Sequence, residues 1–215
     1  MRNRIPIFLS LLLVLGLFAG CGSSPQPISW RVGATQSHPW GYFTGVPVTQ
    51  WNPDGRSMTL VRELNYTDPN GTVWVAPAGA VVDGASIPRS LWSFMGGPFE
   101  GKYRNASILH DVAYDQRNRP PKECDRMFYD AMRCSGVSAL EAKTMYYALL
   151  RFGWHWNFAI KKAKPIKIGR KMVARAEAPA PVSVAAQQEI QGMRDWIRES
   201  QPSVQQIEQR VAGTR

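Results

Sequence analysis

Apolar and polar positions fall into distinct patterns along this chain. Residues 5 to 18 are apolar almost without a break, interrupted only by Pro6, Ser10 and Gly16. From Met58 to Tyr66 β-forming residues dominate. Thr72 to Ala76 repeats that bias after Asp68-Pro69-Asn70-Gly71, a strong turn signal, so a hairpin is predicted. Pro77-Ala78-Gly79 breaks it, and Ala80-Val81-Val82 predicts a third short strand. From Tyr103 to Gln116 the period becomes helical, with Ala106, Leu109, Val112 and Ala113 as the apolar stripe. Asn118 to Pro121 end that helix. Lys122 to Cys134 predicts a second, closed by Ser135-Gly136. Ser138-Ala139-Leu140-Glu141 matches a capping box and opens a third, running to about Phe152.

Strands precede helices, so the expected class is α+β: a small antiparallel hairpin or sheet, then a three-helix bundle, then a basic and polar helical C-terminal extension. The expected divisions are a signal segment at 1–20, a lipidated tether at 21–45 and the α+β domain at 46–158. A basic segment with a Pro/Ala linker follows at 159–184, and a polar helical tail, broken at Pro202, at 185–215.

The apolar run near the start is too short for a comfortable membrane span and follows Arg2 and Arg4, the flank of an export signal. It ends in Leu17-Phe18-Ala19-Gly20-Cys21, which resembles the lipobox of bacterial lipoproteins, with Phe18 where Leu is usual. That resemblance implies cleavage before Cys21, acylation of Cys21 and anchoring to a bilayer. Gly22, in place of a retaining Asp, implies the periplasmic face of the outer membrane in a Gram-negative cell.

Charge then changes the picture of partners. The chain holds 26 Lys and Arg against 16 Asp and Glu, a formal charge of +10. Two of the basic residues lie in the signal segment and eight fall between 151 and 175, where there is no acid. The remainder is neutral. A neutral domain with one basic segment, tethered to a membrane, favours an anionic envelope surface over nucleic acid; Lys161, Lys162, Lys164 and Lys167 are the expected contacts. Cys124 and Cys134 would stand about 15 Å apart on one helix, too far for a disulfide, and are expected to be free thiols.

Candidate chemistry centres on the first two helices. His110 and Tyr114 are one turn apart and share a face, while Asp111 and Asp115 lie on the more polar side. Asp125 sits on the second helix beside Phe128, Tyr129 and Met132, where a carboxylate is costly unless paired. A short connection makes the helices antiparallel neighbours and brings Asp125 towards His110 and Tyr114. In such a site His110 acts as general base on water, Asp125 fixes its tautomer and Tyr114 supports the carboxylate. Asp111 is expected to hold a hard cation such as Ca²⁺, with backbone carbonyls from Gly96 and Gly97.

His110-Asp111-Val112-Ala113-Tyr114-Asp115, with Asp125-Arg126-Met127-Phe128 on the next helix, resembles the paired-helix active site of secretory and parvoviral phospholipase A2 enzymes. Phe94-Met95-Gly96-Gly97-Pro98 is loosely similar to their calcium loop. The resemblance implies calcium-dependent hydrolysis of a lipid ester. Residues 74 to 154 also resemble a phage and bacterial domain family of unknown function. That likeness rests on Val75-Ala76-Pro77-Ala78-Gly79, Asp83-Gly84-Ala85-Ser86-Ile87-Pro88-Arg89, Leu91-Trp92, Leu109-His110-Asp111 and Asp125-Arg126-Met127-Phe128. It implies that Asp83 and Ser86 share a pocket with His110; Asp115 is a further candidate for that pocket.

The blander alternatives are a structural His at a helix face, and Asp83-Gly84 as a capped turn. Ser86 lacks the Gly-x-Ser-x-Gly setting of a serine nucleophile. His38 and His155 lie beside aromatics with no recognisable ligand spacing. Three functions stand open: a lipid-ester hydrolase of the envelope, a non-catalytic phage-derived or structural lipoprotein that binds anionic lipid or a protein, and a hydrolase or binding module for another envelope polymer.

Overall fold

The computed structural model describes residues 39–84, 97, 99–158 and 183–213. Cys21, Ser86, Gly96, Lys161, Lys162, Lys164 and Lys167 lie outside these residues, as do the signal segment and the basic segment from 159 to 182. Six strands are described: β1 Tyr42–Thr44, β2 Thr49–Trp51, β3 Met58–Leu60, β4 Leu64–Thr67, β5 Val73–Ala76 and β6 Val81–Val82. Five helices follow: α1 Arg104–Gln116, α2 Pro121–Cys134, α3 Ala139–Phe152, α4 Val184–Ser200 and α5 Val204–Ala212. The class is α+β.

The strands form two three-stranded antiparallel sheets, ordered β1-β4-β5 and β2-β3-β6. The β4–β5 hairpin has the expected turn. Asp68 Oδ1 accepts the amides of Asn70 and Thr72 at 2.9 Å each, and its Oδ2 accepts the Trp74 indole N–H at 3.1 Å. Gly71 takes φ +80°, a conformation that a Cβ disfavours. The single strand expected from Met58 to Tyr66 is instead two. The chain leaves β3 after Leu60 and enters β4 at Leu64, and these belong to different sheets. Leu60 and Leu64 are both fully buried while Val61 is half exposed, so the crossing keeps each apolar side chain inside. β6 pairs with β3 and does not extend the hairpin. β1 begins at Tyr42, ahead of the expected domain boundary at residue 46.

α1 packs on β4, β5 and β6 on one side and α2 on the other. Every residue from Asn105 to Tyr114 is buried, the signature of a helix surrounded by its own domain. α1 ends at Arg117 in the left-handed conformation, φ 50°. Pro121 opens α2, where the missing N–H costs nothing. Ser138 caps α3 by accepting the Glu141 amide.

The polar C-terminal segment forms two helices. α4 and α5 both pack on α3, with Ile190, Ile197, Ile207 and Val211 joining the common core. A fully buried Ile contributes roughly 1.5–3 kcal/mol, so this hairpin is held chiefly by apolar burial. Polar contacts fix its register: Tyr146 donates to Glu208 at 2.7 Å, and Tyr147 and Arg151 both donate to Glu189. Cys124 and Cys134 are free thiols on α2. Burial pushes them up to about 12 and about 11. Among the described residues no helix is long and apolar enough to cross a membrane.

Candidate active site

His110 and Tyr114 stack on one face of α1, their ring centroids 4.2 Å apart. Phe128 of α2 closes on the imidazole at 4.9 Å. These apolar walls exclude water, and the helical spacing of 110 and 114 aims both polar tips at α2. There Asp125 receives them. His110 Nε2 stands 2.9 Å from Asp125 Oδ1, and the Tyr114 hydroxyl donates to the same oxygen at 2.5 Å. Both His110 and Asp125 have no exposed side-chain surface.

The other carboxylate oxygen has a partner that the sequence did not reveal. His155 Nε2 lies 3.1 Å from Asp125 Oδ2. His155 follows α3 in a short irregular segment with Trp154 and Trp156. Trp156 packs edge-on against Tyr114, 5.0 Å between centroids, and Arg117 covers Trp154 at 4.5 Å. No helical or strand period links residue 155 to 125, so only the fold brings them together.

Three donors on one carboxylate decide its charge. Burial pushes the Asp125 carboxyl up. The hydrogen bonds from His110 and His155, the His110 charge and the Tyr114 hydroxyl outweigh it, and the net direction is down. Asp125 is therefore an anion at neutral pH and can only accept. It follows that Nε2 of both histidines carries a proton. Burial, then the adjacent Asp125 charge, push the Tyr114 phenol far up, so it stays a neutral donor.

Asp111, the next residue after His110, turns to the other side of α1. Its Oδ2 accepts the backbone amides of Asp83 at 3.1 Å and Gly84 at 2.6 Å. Asp111 thus pins the end of β6 to α1, and Gly84 takes φ +70° to present its amide. Asp83 itself lies 3.5 Å from Arg56. The Asp83-Gly84 turn is capped, by a side chain 27 residues away.

Two of the expected calcium ligands, Gly97 and Asp111, are described, and both are engaged with donors of the protein. The Gly97 carbonyl accepts the Tyr103 hydroxyl at 2.7 Å and the Glu100 amide at 3.0 Å. Asp111 Oδ2 is engaged by two N–H donors. A calcium ion takes six to eight oxygens, and oxygens directed at donors do not present their lone pairs to a cation. Among the described residues no group of three or more His, Cys, Asp or Glu stands together as a metal site. Among the described residues, Gly97 and Asp111 so engaged do not by themselves make a calcium site; Gly96, the third expected ligand, lies outside them. Asp115 is also displaced from its expected pocket: it is exposed, because α1 carries it round to the solvent face.

The molecule is thus an α+β domain with a buried imidazole–carboxylate–imidazole centre between its first two helices. Residues 58–149 match the family described as "Protein of unknown function (DUF1353)". The matched segment contains His110, Tyr114 and Asp125 but stops before His155 and the α4–α5 hairpin. The chain is 39% identical over 137 residues to "Uncharacterized protein y4jT" of Sinorhizobium fredii strain NGR234, covering 60% of this chain and 41% of that protein. It is 37% identical over 111 residues to "Uncharacterized protein y4iH" of the same organism, covering 52% of this chain and 46% of that one. The chain therefore spans less than half the length of these relatives. No solved structure matches it.

Proposed function

We propose that this chain is a lipid-anchored envelope lipoprotein whose α+β domain hydrolyses a lipid ester at the His110–Asp125 centre. The observation that carries this reading is the geometry around Asp125. A buried anion holds His110 by Nε2 and has its own position fixed by Tyr114, and that is the arrangement an imidazole needs to act as base. For catalysis the buried Nδ1 edge of His110 must open to water and ester, and this opening is part of the proposal; His110 then takes a proton from water at Nδ1. The hydroxide adds to the ester carbonyl, the C–O bond to the alcohol breaks, and the imidazolium returns the proton to the departing alkoxide. Asp125 stabilises the imidazolium throughout without becoming protonated itself. The lipobox-like Leu17-Phe18-Ala19-Gly20-Cys21 sequence and the basic run from 151 to 175 support a membrane substrate. No step depends on calcium.

A second reading has its own observation. His110 is wholly buried and Asp111 serves two backbone amides, as expected if both residues are there for the fold. The domain is then a non-catalytic lipoprotein that binds anionic lipid or a protein partner. Release of fatty acid from phosphatidylglycerol vesicles, by the purified full chain with calcium and with chelator, separates the two. Release that survives chelation and disappears in a folded His110→Asn variant supports the hydrolase. A folded wild-type chain that releases nothing under either condition, or a variant as active as wild type, removes it.

A further inference from the structure

Asp125 is unusual in holding two imidazoles, one on each oxygen, and the two have different surroundings. His110 has no exposed surface, whereas the His155 side chain is 23% exposed. His155 forms part of the wall of a cleft of about 320 Å³. Pro121, Leu150 and Val211 supply its apolar lining, and the Lys122–Glu208 ion pair, 2.7 Å, stands at its edge. The charged and titratable groups that share the surroundings of His155 are Asp125 and Lys122 of α2, Glu208 of α5 and, through the shared carboxylate, Tyr114 of α1.

We propose that His155 is the positioning residue of the Asp125 centre: its Nε2–H fixes Oδ2 and so holds Oδ1 in line with the His110 imidazole. The carboxylate turns about its Cβ–Cγ bond, a broad two-fold torsion. His110 and Tyr114 both bind Oδ1, while His155 binds Oδ2. The bond at Oδ2 fixes the second oxygen and narrows that torsion further. His155 is itself held by its place beside Trp156, which packs on Tyr114, so the support is closed on itself. A His–carboxylate pair depends on such outer hydrogen bonds for its orientation. The inference rests on the hydrolase reading for what the centre is used for, and on geometry alone for what His155 does.

The test reads the His110 Nε2–H proton directly, independent of turnover. The chain has only three histidines, so ¹⁵N-histidine labelling of the full protein gives a readable spectrum. In wild type this buried proton exchanges slowly with water. In His155→Ala it is expected to exchange at least about tenfold faster, because the carboxylate that holds it has lost its restraint at Oδ2. Free imidazole, which the adjoining cleft admits, is expected to slow it again. His155→Gln, whose amide also donates, is expected to stay within about threefold of wild type, and it decides the matter alone if the alanine variant does not fold. An alanine variant with unchanged exchange overturns the proposal, and so does a folded glutamine variant that exchanges as fast as a solvated imidazole. Fatty acid release, measured on the same samples, reports on the hydrolase reading separately. An inactive wild type whose His110 proton depends on His155 sinks that reading and leaves this one standing.

Discussion

Two carboxylates lie less than two turns apart on α2, and the fold treats them in opposite ways. Asp125 and Asp130 are both buried. Asp125 has three donors on its two oxygens, and its pKa is held down despite burial. Asp130 has Arg126 on Oδ2 at 3.1 Å, while its Oδ1 is buried without a hydrogen-bond partner. Burial pushes the Asp130 carboxyl up, and Arg126 pulls it only part of the way back. The same residue type on the same helix thus makes a fully satisfied anion in one place and a strained one in the other. Burial alone does not mark a site. Convergence of donors from α1 and from the segment after α3 does.

The largest expected effect breaks this contrast outright. Asp125→Leu leaves His110, Tyr114 and His155 without their acceptor and is expected to cost about 3–5 kcal/mol. Asp130→Leu removes a poorly satisfied charge and is expected to stay within about 1 kcal/mol of wild type, because its partner Arg126 is 39% exposed and stays solvated when the pair is broken. Urea denaturation at neutral pH measures both. Equal losses at the two positions would show that the donors around Asp125 add nothing beyond packing.

Next comes Tyr114→Phe, which deletes one donor to Oδ1 and keeps the ring stack on His110. A hydrogen bond to a charged group is worth about 1.5–3 kcal/mol, and the same denaturation experiment checks it. A variant as stable as wild type would mean that His110 and His155 suffice to hold the carboxylate.

Acid titration sharpens the contrast through its sign. Asp125 has a folded pKa below its unfolded value of about 3.9. Its contribution is present above that value and is lost as pH falls through the folded pKa. Asp130 is raised, so its contribution grows as pH falls through its folded pKa towards the unfolded one. The pH dependence of the urea midpoint is therefore expected to flatten at acid pH in Asp125→Asn and to steepen in Asp130→Asn. Identical profiles for the two variants would erase the distinction. The smallest effect belongs to Lys122→Ala. Lys122 is mostly exposed, and its pair with Glu208 is expected to contribute less than about 1 kcal/mol, within reach of a thermal melt. A much larger loss would mean that the α4–α5 hairpin depends on charge more than on its buried Ile residues.

Local signals in the sequence carried the helices, the Asp68–Gly71 turn and the pairing of His110 with Tyr114 across one turn. They also carried Asp125, because a carboxylate amid Phe128, Tyr129 and Met132 demands a partner, and two adjacent helices offer one. The rest depends on distance along the chain. The split at Val61 to Glu63 into two sheets rests on which strands pair, with Leu60 bonding back to Gly79 and Ala80. Asp111 looked like a cation ligand because nothing local shows that it reaches the amides of Asp83 and Gly84. His155 carries no local signal for the same reason. Its neighbours, Trp154 and Trp156, signal packing, and its link to Asp125 spans 30 residues with no regular period. The α4–α5 hairpin read as polar because its apolar stripe is narrow, yet Ile190, Met193 and Ile197 lie on one face and find α3.

The most direct measurement compares fatty acid release from phosphatidylglycerol vesicles by wild type, Asp125→Asn and Asp130→Asn, each shown to be folded. Positioned acid–base groups contribute about 10²–10⁴-fold to rate. Asp125→Asn is expected to lose at least the lower of these, while Asp130→Asn keeps a rate within a few-fold of wild type. Retention of full activity by Asp125→Asn, or no release by folded wild type, would contradict a hydrolytic centre built on Asp125.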